Sequence, residues 1–289
     1  MGLTYGYDSS NITTFSEVSQ LLFENLNFNG LGGVNSLEGI RTSKVIPTYT
    51  YNTVDHPLTP TRGKSIFLSL ELTGLGGNVR MYRPTADFKW FKPVTSGGRT
   101  FGLHLFGSTM SGYGGRVVPP FARFYVGGET DIRGFDFYTI SPIAFIPDRS
   151  SVPVLNADGT GRLTTGLDQL GQESQQGQLL TVPVNRITFP GGDTKALVNM
   201  EYRIPLFGPV SLAFFWDQGV NFAWRRSQLE LTDRRLTELQ TEFPDADFKK
   251  KLTFAAGTNR KWRASTGIEL QVVLPVRSEE RRVGKECRL

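Results

Sequence analysis

The chain has 289 residues, room for one large or two ordinary domains, with 38% hydrophobic residues, 12% aromatics and 32 glycines. Mean hydropathy is −0.24 and apolar runs such as Leu212–Trp216 and Val272–Val276 are only five residues long, far short of the eighteen or so that a transmembrane helix needs. The formal charge of +5 comes partly from the last dozen residues, and no basic stretch interleaved with aromatics suggests a nucleic-acid partner. Cys287 is the one cysteine, so there is no disulfide framework and no cysteine metal site.

Period-two alternation begins at once. Leu3, Tyr5 and Tyr7 alternate with Thr4, Gly6 and Asp8. In the connection 9–41, Thr14-Phe-Ser-Glu17 reads as a capping box before Val18, Leu22 and Leu26 on one helical face. Val45, Tyr49 and Tyr51 then alternate with Lys44, Thr48 and Asn52, and a short turn, 53–63, follows. Ile66, Leu68, Leu70 and Leu72 against Ser65, Ser69 and Glu71 give the cleanest pattern. After 74–78, Tyr82, Ala86, Phe88 and Trp90 oppose Arg83, Thr85, Asp87 and Lys89. Beyond 93–98, Phe101, Leu103 and Leu105 oppose Gly102, His104 and Ser108.

The long connection 114–194 comes next, and its part 149–192, rich in Gly, Gln, Ser and Thr, reads as irregular surface loop. Ala196, Val198, Met200, Tyr202 and Ile204 oppose Asn199, Glu201 and Arg203; past 207–209, Val210, Leu212, Phe214 and Trp216 oppose Ser211, Ala213 and Asp217. In 224–260, Leu229, Leu236, Leu239 and Phe243 form a second helical stripe ending at Pro244. Last, Trp262, Ala264, Thr266, Ile268, Leu270 and Val272 oppose Arg263, Ser265, Glu269 and Gln271. About eight strands of roughly nine to fifteen residues can cross a tilted bilayer, where soluble strands average nearer six. Long connections alternate with short ones, as in outer-membrane barrels. The expected fold is all-β, a transmembrane antiparallel barrel with a polar lumen and helices in its outer loops.

Most chemical signals fail on inspection. Gly63-Lys64-Ser65 lacks the first glycine of a phosphate loop, since Leu58 stands there, and a strand follows it. Asn156-Ala-Asp158-Gly159 lacks the ligand series of a calcium loop. His56 and His104 have no metal-ligand spacing, and no Gly-x-Ser-x-Gly occurs. What remains is Arg133 with Glu201 and Asp217, two acids on the lumen parity. An arginine fork meeting carboxylates there would fix a loop in place. Gly127, Gly128 and Gly134 would let that loop turn sharply towards the wall. From spacing alone, a solvated Arg133 in a merely polar lumen is an equally good reading.

The block Phe124-Tyr-Val-Gly127-Gly128-Glu-Thr-Asp131-Ile132-Arg133-Gly134-Phe135 resembles the loop motif of the BamA-type (bacterial surface antigen) family. It departs at Asp131-Ile132, where the family often has a small residue and Val. Asn199-Met-Glu-Tyr-Arg-Ile-Pro205, Phe214-Phe-Trp-Asp-Gln-Gly219, Ser265-Thr-Gly-Ile-Glu-Leu-Gln271 and the turn Pro60-Thr-Arg-Gly63 also resemble it, so the likeness runs over 2–276 in order.

The resemblance implies about eight strands, the seventh to fourteenth, of a sixteen-strand barrel at 1–276. It implies a loop-to-wall lock made by Arg133, Gly134, Phe135, Glu201 and Asp217, with Gly127 and Gly128 at the loop turn. It implies a non-enzymatic factor in the bacterial outer membrane that inserts β-barrel proteins. The implied partners are outer-membrane lipid, unfolded barrel clients and periplasmic lipoprotein subunits, with no cofactor, metal or nucleic acid. A related polypeptide-transport or secretion barrel and a passive porin are the alternatives. Met1-Gly-Leu-Thr-Tyr is no signal peptide, so a start inside a longer gene product is expected. Residues 277–289, charged and without alternation, read as a truncation or sequence artefact.

Overall fold

The computed structural model describes residues 1–13, 22, 26, 36–95, 97–167 and 173–273. Its strands are β1 (Gly2–Thr13), β2 (Ser36–Asn52), β3 (Gly63–Thr73), β4 (Met81–Pro93), β5 (Thr100–Thr109), β6 (Ser111–Gly112) and β7 (Ala144–Pro153). Then come β8 (Leu163–Leu167), β9 (Glu173–Gly177), β10 (Leu179–Thr188), β11 (Thr194–Phe207), β12 (Val210–Phe222), β13 (Thr253–Phe254) and β14 (Arg263–Val272), with one α-helix, α1 (Asp233–Glu242).

The eight strands expected from alternation form one antiparallel sheet in the order β1-β2-β3-β4-β5-β11-β12-β14, and β6 adds to β4. Each pairs with its neighbours in sequence among those eight, the meander that short turns and long outer loops allow. The edge strands β1 and β14 do not pair with each other, so the described residues form an open arc. Ten residues of β14 rise about 33 Å, and a tilt near 40° brings that to the ~25 Å of a membrane apolar band.

Register sets which face is which. Asn199 lies opposite both Asp217 and His104, and Asp217 lies opposite Ser265, so one face carries the polar set across four strands. The other face leaves Leu68, Leu70, Phe214, Trp216 and Ile268 exposed, as lipid-facing side chains should be. Phe67, Phe106 and Phe215 fall on the polar face; the lumen is less polar than alternation implied.

Two expectations need correction. The region 149–192 is not irregular: β7 and β10 form a ten-pair ladder, and β8 and β9 a second hairpin beyond it. The helical stripe is shorter than 229–243, because Leu229 precedes α1. Thr232 caps the helix by accepting the Arg235 N–H at 3.2 Å, and Asp233 sits in the first turn. The capping box at Thr14 lies outside the described residues, although Leu22 and Leu26 are buried. The charged end 277–289 also lies outside them.

The largest apolar cluster sits above the sheet, not within it. Met110, Val118, Ile146, Leu229, Leu231 and Leu252 pack into a dome built from the outer connections. Asp148 of β7 ties the projecting hairpin to α1, accepting from Arg186 Nε and Arg235 Nη2 at 2.7 Å each. At the opposite end, the turn 53–62 is closed by Asp55, which accepts the Thr61 and Arg62 N–H groups. The Thr61 hydroxyl and N–H hold the Asp55 carboxyl well below the usual carboxylate range.

Candidate functional site

Residues 124–140 leave the dome and lie against the inner face of β11, β12 and β14. Bridges Phe124–Gly192 and Val126–Ile140 fix the two ends of the segment. Between them the chain turns at Gly127 (φ 128°) and Gly128 (φ 89°), where the Gly128 N–H donates to the Phe135 carbonyl at 2.8 Å. A Cβ at Gly127 would stand 2.3 Å from the Asp136 carbonyl oxygen, so no other residue fits. Ile132, fully buried, packs on Leu197 together with Val126 and Ile140, and Phe135 closes the edge of that cluster.

This packing aims Arg133 at the wall. Its Nε and Nη2 donate to the two oxygens of Asp217 at 2.8 and 2.9 Å, and its backbone N–H donates to the same carboxylate at 3.1 Å. Nη1 donates to Glu201 at 3.1 Å and to Glu269 at 2.7 Å. One guanidinium therefore bridges three adjacent strands, β11, β12 and β14. Its Cζ also lies 3.9 Å from the centre of the Phe215 ring, a cation–π contact.

Burial alone would lower the Arg133 pKa; the Asp217, Glu269 and Glu201 carboxylates more than reverse this, leaving it above the ordinary arginine value. Glu201 also accepts from Arg203 Nε at 2.9 Å and Gln271 Nε2 at 3.3 Å, and Arg203 Nη1 reaches the Pro60 carbonyl at 3.4 Å. Beside the lock, Lys195 pairs with Asp131 at 2.7 Å and Asn199 donates to the Asp131 carbonyl at 2.8 Å.

Nothing in this arrangement poises a nucleophile or a proton donor. Among the described residues no group of three His, Cys, Asp or Glu is arranged to hold a metal ion. The acids at 201, 217 and 269 already meet donors. His104 faces Asp87 at 3.3 Å, and His56 Nδ1 accepts the Leu58 and Thr59 N–H groups in its turn.

A family model described as the Omp85 superfamily domain matches residues 5–278. The chain belongs to the Omp85 superfamily. Outer membrane protein assembly factor BamA from Neisseria meningitidis serogroup B is 34% identical over 94 residues, 32% of this chain and 11% of that protein. The BamA of Nitratidesulfovibrio vulgaris is 25% identical over 241 residues, 81% of this chain and 23% of that protein. The crystal structure of BamA from Haemophilus ducreyi lacking POTRA domains 1–3 matches in fold with a TM-score of 0.58 at 18% identity, over 94% of this chain and 45% of that one. The chain thus spans less than a quarter of the length of these curated relatives.

In this Omp85 chain Arg133, Glu201 and Asp217 come together, Gly127 and Gly128 sit at the loop turn, and Phe135 packs against the cluster around Ile132. Gly134 (φ 80°) has only the Ser265 Cβ near its own missing one, at 3.8 Å. Two partners were not singled out from the sequence. Glu269 was visible only as one more residue of lumen parity on the last strand. Phe215 lies within the apolar run Leu212–Trp216, yet it has the parity of Asp217, which turns it inward.

Proposed function

We propose that this chain is the barrel part of an outer-membrane β-barrel assembly and insertion factor, acting without covalent chemistry. The single observation that carries the reading is Arg133 held by carboxylates from three neighbouring strands. A segment fixed in that way makes the barrel wall and the outer loop one mechanical unit. The Omp85 match and the naming of the relatives as assembly factors supply the activity. A passive porin is disfavoured, because the locked segment occupies the lumen side of the wall. In this reading the protein resides in the bacterial outer membrane and works on unfolded barrel clients, with periplasmic lipoprotein subunits beside it.

Arg133, Gly134, Phe135, Glu201 and Asp217 are the lock, and Glu269 joins them. Arg133→Ala in the full-length protein takes the guanidinium from three carboxylates, of which Glu201 keeps Arg203 and Asp217 keeps the backbone N–H of residue 133. Breaking such a pair costs ~3–5 kcal/mol in a dry interior, and less here because Glu269 is 39% exposed at its side chain. The expected result is loss of the heat-resistant folded band on a semi-native gel, together with slower insertion of barrel clients into vesicles. A variant with wild-type heat resistance and normal insertion would refute the lock.

A further inference from the structure

At the outer rim of β12 and β14, cations and aromatics form a row on the lipid-facing side. Phe222 has the parity of Phe214 and Trp216. The Arg260 guanidinium lies 5.8 Å over its ring, the Trp224 ring is 6.4 Å away, and the Arg225 guanidinium lies 5.7 Å over Trp224. Arg225 ties the row to the dome, donating to the Thr109 hydroxyl at 3.2 Å, the Tyr82 hydroxyl at 3.4 Å and the carbonyl of the buried Met110 at 3.3 Å. Thr109 and Tyr82 have the outward parity of their strands. Trp262, just before β14, shares the outward parity of Ala264, and Trp224 and Trp262 are 58% and 48% exposed.

The one carboxylate among the described residues that meets this row is the buried Asp193, whose oxygens accept the Trp224 and Arg225 backbone N–H groups at 2.8 and 2.7 Å and are turned away from the exposed cations. Residues 218–229 and 254–262 contain Arg225, Arg226, Arg260 and Lys261 and no Asp or Glu, while Arg263 has the lumen parity of Ser265. Among the described residues every ion pair lies elsewhere. The dome behaves differently: there Arg234 meets Glu238 and Lys250 meets Asp233. Arg260 also holds a left-handed backbone, φ 65°, which a non-glycine residue adopts only when its surroundings enforce it. Asn259 does so by exchanging hydrogen bonds with the Ala223 N–H and carbonyl at 2.9 and 3.3 Å.

We propose that this rim binds the phosphate of an anionic lipid headgroup in the outer leaflet, with Arg260 and Lys261 as its partners. Tryptophan rings settle at headgroup depth, so Trp224 and Trp262 put the neighbouring cations where phosphates lie. The outward parity of the row faces it to lipid and away from the lumen. The inference needs only the membrane barrel and is independent of the lock at Arg133.

The test uses the full-length protein with every tryptophan other than Trp224 and Trp262 replaced by Phe, Trp90 and Trp216 among them, so that those two alone report. It is reconstituted in phosphatidylcholine bilayers containing phosphatidylglycerol, and either lipid carries brominated, quenching acyl chains. Brominated phosphatidylglycerol is expected to quench more than brominated phosphatidylcholine at equal mole fraction. That preference should shrink about fivefold for each charge removed in R260Q and R260Q/K261Q, persist in R260K, and weaken with salt. Equal quenching by the two lipids in the parent protein would overturn the proposal without reference to any variant. A preference unchanged in the double variant would overturn it too. So would saturable binding of a soluble acidic peptide in place of lipid, which would make the rim a protein-docking surface.

Discussion

Ile132 and Ile146 are both fully buried, and both belong to the long outer connection, but their neighbourhoods differ. Ile146 sits in the dome among Met110, Val118, Leu229 and Leu231, an ordinary apolar core into which the base of β7 also sends Ala144. Ile132 has three close apolar partners and stands one residue from a guanidinium that meets three carboxylates. The dome is held by the volume it fills and the reentrant segment by where its charges are. Packing of the first kind yields gradually as methylenes are removed. A hydrogen-bonded charge cluster instead loses stability unevenly, most where the group removed leaves a buried charge without another partner.

Ile146→Ala probes the dome and should cost about 2–5 kcal/mol by cavity formation. Hydrogen exchange should rise in β7 and α1 while the amides of 128–135 stay protected; loss of protection in both regions would merge what is described here as two units. Gly219→Ala attacks the segment from the wall, since a Cβ there would meet Leu197 Cδ2 at 2.6 Å and Ile132 Cδ1 at 2.8 Å. Overpacking of that kind costs about 1–3 kcal/mol. Faster protease cleavage within 124–140, with the dome intact, is the expected sign. Glu269→Gln keeps a hydrogen-bond acceptor and removes one of three charges at the most exposed position, so the loss should stay below about 1 kcal/mol. A gel shift as large as that of Arg133→Ala would show that Glu269, not Asp217, is the principal partner.

Much of this could be read from the chain, for physical reasons that also mark where reading stops. The eight long strands were legible because one face meets lipid and the other water, which forces apolar and polar residues to alternate. The β7–β10 hairpin was not, because it projects from the dome with solvent around most of it. Leu179, Leu180 and Ile187 are all exposed, and Pro147, Pro153 and Pro183 sit within its strands. The stripe at Leu236 and Leu239 signalled α1, whereas Leu229 belongs to the dome core through the tighter turn that precedes the helix. Asp217 and Glu201 stood out because acids are conspicuous opposite Trp216 and Tyr202. Phe215 did not, since an inward phenylalanine between outward aromatics reads as part of the lipid face.

The carboxylate of Glu201 serves two masters. One oxygen receives Arg133 from the outer loop; the other receives Arg203, whose Nη1 reaches the Pro60 carbonyl in the turn on the opposite side of the membrane. Gln271 of the last described strand leans on that second oxygen as well. Because its two oxygens are taken by different arginines, a rotation of this carboxylate alters both contacts at once. The inner turn and the outer loop are thus joined across the lumen face of β11 through a single carboxylate.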